Sequence, residues 1–158
     1  MFYSPFMKAK PVSDLKTHIG FWMRFVSNHV SHAFARKVIK CGVTVAEWVV
    51  LREMYSRDGM SPSKVAEACG MTRGAASKLI DRLVGKGLIV RKERSDDRRY
   101  QDIALSAAAV RLVPTLATLA DENDREFFSS LTKAERQTLL EILKKLVQAH
   151  GLRQLPIE

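Results

Sequence analysis

The chain has 158 residues, of which 46% are hydrophobic and 27% are charged, and these proportions exclude a largely disordered chain and fit one globular domain. Its formal net charge of +9 favours a polyanionic partner, either a nucleic acid or an anionic membrane surface. Two cysteines are too few for a disulfide scaffold, and no apolar run suits a signal peptide or a membrane span, so we expect a soluble, cytoplasmic protein with no membrane partner.

The first predicted element, after an N-terminal arm of residues 1–11, is a long helix. It starts at residue 13 or 14 and runs to about residue 40, because apolar residues recur there at steps of three and four. Its apolar stripe includes Trp22 and is flanked by Phe25, which makes it wider than the core of one small domain requires. We therefore expect a partner helix against this stripe, with a second subunit as its source.

Two shorter helices are predicted next. Thr44 and Glu47 have the spacing of a capping box and begin the second helix. Ser61, followed directly by proline, begins a short third helix over residues 61–68. The tight connection at residues 69–71 then gives the spacing of a helix-turn-helix.

The fourth predicted helix covers residues 72–86 and has two distinct faces. Thr72 is a suitable N-cap for it. One face is an apolar stripe that we expect to be buried, made of Ala76, Leu79, Ile80 and Leu83. The opposite face combines small side chains with long cationic ones, at Arg73, Gly74, Ser77, Lys78 and Asp81. A face of this kind can lie close against an anionic surface.

A charged hairpin is predicted directly after this helix. Gly87 is well placed as the helix C-cap, and the aliphatic residues 88–90 begin a strand. Eight of the nine residues from 91 to 99 are charged, and the chain returns as a second strand over residues 100–105. This layout is typical of a winged helix, in which the helix enters the DNA major groove and the hairpin reaches the neighbouring backbone or minor groove.

Two long helices complete the predicted chain. Ser106 caps a fifth helix that runs to about residue 129, and Pro114 inside it predicts either a kink or a later start. Thr132 and Glu135 form a second capping box and begin a sixth helix to about residue 150. Both helices are apolar along one side although the lobe before them is already complete. This pattern favours a role in dimerisation together with the first helix.

The stretch from Val65 to Ser106 has the sequence VAEACGMTRGAASKLIDRLVGKGLIVRKERSDDRRYQDIALS. It closely resembles the winged helix-turn-helix of MarR-type transcriptional regulators. The most specific part of the match is Asp97-Arg98-Arg99 in the hairpin, followed by a strand that closes with Leu105-Ser106. The flanking helices also fall where this family has them, so the resemblance covers most of the chain.

The resemblance implies a mainly α fold with a small β-hairpin wing. It also implies a single domain over residues 1–158, in which a winged-helix lobe at 42–105 lies between dimerising helices at 12–41 and 106–150. In function it implies a homodimeric transcriptional repressor that binds double-stranded DNA and releases it when a small ligand binds.

The candidate DNA contacts lie on the fourth helix, its approach and the hairpin. Arg73 and Lys78 are candidates for base or phosphate contacts, and hydroxyl side chains are candidates for phosphate contacts. The resemblance gives Asp97 the role of holding Arg99 for entry into a minor groove. The full set of candidates is Ser61, Thr72, Arg73, Gly74, Ala75, Ser77, Lys78, Lys92, Arg94, Asp97, Arg98 and Arg99. The alternative is an ordinary solvated helix face beside a surface cluster of salt bridges.

Three kinds of regulatory site remain possible from the sequence: a ligand cleft, a zinc site and a redox-sensitive thiol. By resemblance, a small aromatic or phenolic ligand would occupy a cleft lined by Trp22, Phe25, His29 and Trp48, although a dimer core would use the same side chains. His29 and His32 leave open a zinc site shared between subunits, and Cys41 beside nearby lysines leaves open a redox-sensitive thiol.

Other classes of function are also weighed. No phosphate-binding loop, nucleophile elbow or zinc-binding helix motif is present in the sequence, so we expect no enzyme, no cofactor and no metal site within one chain. The remaining alternative is a sequence-tolerant architectural DNA-binding protein without an inducer.

Overall fold

The computed structural model describes residues 12–57, 59–93 and 101–153, with the backbone alone for Glu93 and Gln101. Within these ranges, six α-helices and one antiparallel hairpin make the fold mainly α, as predicted. The elements are α1 (Ile19–Val38), α2 (Val45–Met54), α3 (Pro62–Ala68), α4 (Arg73–Gly85), β1 (Ile89–Glu93), β2 (Gln101–Leu105), α5 (Ala107–Phe127) and α6 (Lys133–Ala149). Short 3₁₀ turns at Leu15–Thr17 and Ile39–Cys41 flank α1.

The first helix starts later than predicted, because the expected continuous helix from residue 13 or 14 is interrupted. Asp14 caps only one 3₁₀ turn, in which its side chain accepts from the Lys16 N–H at 3.1 Å and its carbonyl accepts from the Thr17 hydroxyl at 2.7 Å. Such local bonds compete with helix propagation, and His18 is extended at φ −88° and ψ 125°. The Trp22 indole N–H donates to the Lys16 carbonyl at 2.8 Å, which satisfies a carbonyl group at the break.

The other helices begin where the sequence places their caps. A side-chain oxygen accepts a backbone N–H at 3.2 or 3.3 Å at Thr44, Ser61, Thr72, Ser106 and Thr132. Because Ser106 caps α5, this helix starts well before Pro114 and contains the proline in its interior. The later start considered for this helix is therefore wrong. An interior proline removes one backbone donor from the helix ladder.

The hairpin is fixed to the helical lobe on the side of β2. Within the sheet, Ile89 lies opposite Leu105 and Lys92 lies opposite Asp102. Met60 forms an isolated bridge on the other side of β2 and exchanges two backbone hydrogen bonds with Ile103, at 2.9 and 2.8 Å. β2 is therefore held between β1 and the loop that precedes α3.

One hydrophobic core connects these elements. Its most completely buried side chains come from α1, α2, α3, α4, the hairpin and α5, and they include Val38, Val50, Leu51, Val65, Ile80, Leu83, Ile89, Ile103, Val113 and Leu116. α1 packs against α2 and α5, and α3 packs against α4. By contrast, α6 contributes no buried residue. In the described ranges no helix has both the length and the hydropathy to cross a bilayer.

Candidate nucleic-acid interface

The two faces of α4 lie as the sequence predicts. All four residues of the apolar stripe, Ala76, Leu79, Ile80 and Leu83, are buried. The front face, defined here as Thr72, Arg73, Gly74, Ser77, Lys78 and Asp81, is exposed, and Ala75 is half-buried at its edge. The burial of one side therefore presents a row of small, polar and cationic side chains to solvent on the other.

Two capping hydroxyl groups, those of Ser61 and Thr72, lie at the beginning of this surface. Ser61 caps α3 and also lies 3.1 Å from the Ser63 hydroxyl, and Thr72 caps α4 by accepting from the Ala75 N–H at 3.2 Å. Since α3 packs on α4, both caps lie in one packed helix-turn-helix unit. Met71 connects the two helices through a bond of 2.9 Å from its N–H to the Ala66 carbonyl.

An ion pair joins the base of the hairpin to the front face of α4. The Arg91 guanidinium donates to the Asp81 carboxylate at 2.5 Å. Both side chains are exposed, so the pair contributes less than about 1 kcal/mol to stability. Its clearer effect is geometric, since it links the first strand of the hairpin to the helix beside it.

The described part of the hairpin includes only one of the predicted hairpin contacts. Lys92 is exposed on β1. The other four, Arg94, Asp97, Arg98 and Arg99, lie outside the described residues. Their roles at the DNA backbone and minor groove stay predictions.

A buried carboxylate anchors the far end of α4. Glu47 is only 1% exposed, and its carboxylate accepts from the Lys86 ammonium at 2.7 Å and from the Thr44 N–H at 2.8 Å. The same ammonium donates to the Gly42 carbonyl at 2.9 Å. Burial alone would raise the pKa of Glu47, but the bonds from Lys86 and Thr44 outweigh it and hold that pKa below its usual value. The C-terminal end of α4 is thereby tied to the first turn of α2.

Replacing Glu47 with glutamine should lower the free energy of unfolding by about 2 kcal/mol at pH 7, because a neutral amide cannot form an ion pair with the Lys86 ammonium. The pKa of Glu47 in the folded state lies below the ordinary value of 4.5. Its stabilisation is therefore complete above that pH and is lost as the pH falls through the folded pKa. Urea unfolding should show a constant difference in the free energy of unfolding between wild type and E47Q near pH 7. This difference should become smaller as the pH falls through the folded pKa of Glu47.

Glu135→Gln is the matched control, because Glu135 accepts the same capping bonds from Thr132 but is exposed and has no lysine partner in the described structure. We expect a smaller loss of stability in this variant. Equal losses in the two variants would show that the capping bonds, and not Lys86, carry the effect.

Two further cations lie beside the front face and were not among the predicted contacts. Lys64 is on α3, and Arg153 follows α6. They line one concavity of about 480 Å³ together with Ser63, Ala66, Glu67, Met71, Thr72 and Arg73. The helix-turn-helix spacing is a local signal for Lys64. No local signal exists for Arg153, which is far from this unit along the chain.

The aromatic residues proposed for a ligand cleft are only partly brought together. Trp22 and Phe25 lie on the outer face of α1, about half exposed, with ring centroids 6.2 Å apart, and His29 lies 4.5 Å from Phe25. Trp48 instead makes an edge contact with Phe34, against the core. The structure thus places Trp48 beside Phe34 and apart from Trp22, Phe25 and His29.

An open groove lies between the C-terminal half of α1 and the start of α2. One part, of about 610 Å³, is lined by Asn28, His29, Ser31, His32, Ala35 and Val45. A neighbouring part of about 270 Å³ shares His32, Ala35 and Val45 and adds Arg36, Ile39, Val43 and Thr44. Its walls therefore combine apolar side chains with imidazole and guanidinium groups. Sequence reasoning had not placed Arg36 or Val45 in a candidate cleft.

The metal and redox candidates have the following surroundings. His29 Nδ1 donates to the Phe25 carbonyl at 2.7 Å, and His32 is exposed in the groove. In the part of the chain that the structure describes, no three His, Cys, Asp or Glu side chains are grouped to hold a metal ion. Cys41 is half-buried, whereas burial raises the pKa of the Cys69 thiol to about 11, so Cys69 is an unreactive packing residue.

Large apolar side chains are exposed on α1 and on the middle and C-terminal part of α6. On α1 they are Ile19, Trp22, Met23, Phe25 and Val26, and on α6 they are Leu139, Leu140, Ile142, Leu143, Leu146 and Val147. Exposed apolar side chains in such numbers on one helix are typical of a protein–protein interface.

The comparison with known proteins agrees with this architecture. A family model described as MarR family matches residues 42–99. A protein of Thauera aromatica assigned as a transcriptional regulatory protein for the hcr operon is 30% identical over 129 residues, which cover 81% of this chain and 78% of that protein.

Two solved structures show the same fold. One is a mutant MarR of Escherichia coli complexed with operator DNA, with a TM-score of 0.77, 24% identity, and coverage of 85% of this chain and 99% of that one. The other is BpsR of Bordetella bronchiseptica, with a TM-score of 0.78, 21% identity, and coverage of 86% and 97%. The family match, the similarity to a regulatory protein and the winged-helix architecture agree, and the chain therefore belongs to the MarR family of DNA-binding transcriptional regulators and is not an enzyme.

Proposed function

We propose that the protein is a homodimeric repressor that binds a pseudo-palindromic operator. The observation that carries this proposal is the front face of α4, where Arg73, Gly74, Ser77 and Lys78 are exposed above a buried apolar stripe. Each subunit would place this face in a major groove and the hairpin alongside it. The two half-site centres would then be about 10 bp apart, on one face of the DNA.

The packing supports the following assignment of parts. Residues 42–105 contain the helix-turn-helix and the hairpin, and they form the proposed DNA-binding lobe. Residues 12–41 and 106–150 carry the exposed apolar surface of α1 and α6, and they form the proposed dimer interface. Burying this surface in a dimer removes apolar area from water, which contributes roughly 25 cal/mol per Å². Repression would follow where the operator overlaps a promoter, and the proposed DNA target supports a cytoplasmic location.

A small aromatic acid or phenol is the proposed inducer. The groove beside α1 offers apolar walls for a ring, and His32 and Arg36 in it can bind a carboxylate or a phenolate. DNA binding by the structural neighbour BpsR is regulated by 6-hydroxynicotinic acid, an aromatic acid. Trp22, Phe25 and the neighbouring His29 would adjoin this groove or belong to the dimer interface, while Trp48 would support the core beneath it.

A fluorescence anisotropy titration tests the proposal. The labelled DNA is the region upstream of the protein's own gene, with random duplex as competitor. If the dimer neutralises roughly eight phosphates, the logarithm of the affinity should fall with the logarithm of the salt concentration at a slope near −7. The titration is then repeated with a panel of aromatic acids, one of which should weaken binding and raise the thermal stability of the protein.

Each outcome identifies a different function. Equal, weak binding to both DNAs would indicate either an architectural DNA-binding protein or an operator located elsewhere, and genome-wide site selection would separate the two. A response to zinc or peroxide, lost in His29→Ala or Cys41→Ser, would indicate a metal or redox sensor of the same fold. If no acid in the panel changes DNA binding or thermal stability, the proposal of an aromatic inducer is wrong.

A further inference from the structure

We propose that the C-terminal segment supplies an additional contact to the DNA backbone through Arg153. This inference rests on the proposed binding of DNA by the front face of α4. It assigns a role to a part of the chain outside the winged-helix lobe and after α6.

The path of the chain into this segment is well defined. α6 ends at Ala149, and Gly151, at φ 57°, reverses the backbone in the left-handed conformation. The N–H of Gly151 donates to the Gln148 carbonyl at 3.2 Å, and the N–H of Leu152 donates to the Val147 carbonyl at 3.0 Å. These two bonds form a Schellman motif, which fixes the direction in which the chain leaves α6. Arg153 follows immediately.

The segment leads to the turn between α3 and α4. Arg153 lines the same concavity as Lys64 of α3 and Thr72 and Arg73 of α4. The segment after α6 therefore lies beside the first turn of the helix that carries the front face. A long arginine side chain at this position can reach the surface that faces the DNA.

The charges in this concavity are unbalanced. Lys64, Arg73 and Arg153 contribute three cations, against the single carboxylate of Glu67. None of the three cations forms an ion pair within residues 12–57, 59–93 and 101–153. Unpaired cations grouped on a concave surface repel one another in the free protein. A DNA phosphate placed between them would remove this repulsion, which explains why the cations can be grouped here.

Arg153→Gln in the full chain tests the proposal. Binding is measured by anisotropy on the upstream DNA and on a random 30-bp duplex at several salt concentrations. Because each dimer would lose two phosphate contacts, we expect about tenfold weaker binding of both DNAs near 0.1 M salt and a salt slope shallower by about 2. Arg153→Lys, which keeps the charge, should retain most of the slope.

Arg136→Gln is the matched control, since Arg136 is an exposed arginine in the first turn of α6, at the opposite end of that helix. It removes the same charge and should leave the slope almost unchanged. A salt slope for R153Q equal to that of R136Q would overturn the proposal. Tighter DNA binding by R153Q would also overturn it, because it would show that Arg153 shields the front face. If R153Q gives either of these results but the wild-type protein binds operator DNA specifically, the proposed function as a regulator still stands. If the wild-type protein binds no duplex, both the proposed function and the proposed Arg153 contact are wrong.

Discussion

Replacing Leu143 with lysine should convert the protein into a monomer and weaken its binding to operator DNA by about 100-fold or more. Leu143 lies at the middle of the apolar stripe of α6, where it is 40% exposed in the single chain. A lysine ammonium at the centre of a dimer interface would have to be buried without a partner. The two half-sites would then be bound by separate molecules, and the advantage of a high effective concentration at the second half-site would be lost.

The fold of the single chain should survive this change, because α6 contributes no buried residue. Sedimentation equilibrium reports the mass, and anisotropy reports the affinity. Gln148→Lys on the polar side of α6 adds the same charge, and it should leave the mass unchanged and should not weaken the affinity. The added charge alone would strengthen DNA binding, so a loss in L143K cannot come from the electrostatic field. A dimeric L143K with normal affinity would contradict the interface that we propose.

Replacing Gly74 with glutamate should abolish tight DNA binding while leaving the protein folded. A Cβ on Gly74 would meet no atom within 4 Å other than the backbone of its own helical turn. Glutamate is also a better helix former than glycine and is favourable near a helix N-terminus. We therefore expect an unchanged or higher melting temperature. On the front face of α4, however, the carboxylate would meet DNA phosphates, and the affinity should fall at least about 100-fold because two subunits are affected.

Gly85→Glu provides a closely matched control on the same helix. Gly85 is the last residue of α4 and is exposed, and a Cβ added there would also point into open space. The substitution has the same chemistry and charge, but it lies at the C-terminal end of α4, about 16 Å along the helix axis from Gly74. A small loss of affinity in G85E and a large one in G74E would locate the DNA at the N-terminal half of α4. Equal losses would indicate a general effect of charge.

Local patterns in the sequence predicted the helices and their caps well. The stripe of Ala76, Leu79, Ile80 and Leu83 is visible because burial on one side of a helix repeats every three or four residues. The caps at Thr44 and Thr132 are visible because the hydroxyl and the glutamate that form a capping box are separated by a fixed short interval. In each case the interacting groups are neighbours along the chain.

Contacts between distant segments could not be predicted in this way. The bond of Lys86 to Glu47, the bridge of Met60 to Ile103 and the approach of Arg153 to α4 each depend on how the elements pack in three dimensions. The break at His18 was missed for a different reason, since Asp14 is a good cap for either a 3₁₀ turn or an α-helix. Competition between these two local structures is decided by small energy differences that an apolar repeat does not report.

The position of β2 between β1 and Met60 also bears on how the protein avoids aggregation. Because β2 has backbone partners on both sides, β1 is the edge strand of the small sheet within the described residues. An open edge can recruit a strand from another molecule, and natural proteins commonly block such edges with charged side chains. β1 carries Arg91 and Lys92, both exposed, at this edge. Arg91 and Lys92 therefore protect an open strand edge, in addition to the DNA contact that we propose for Lys92, and neutralising them would lower solubility even in the absence of DNA.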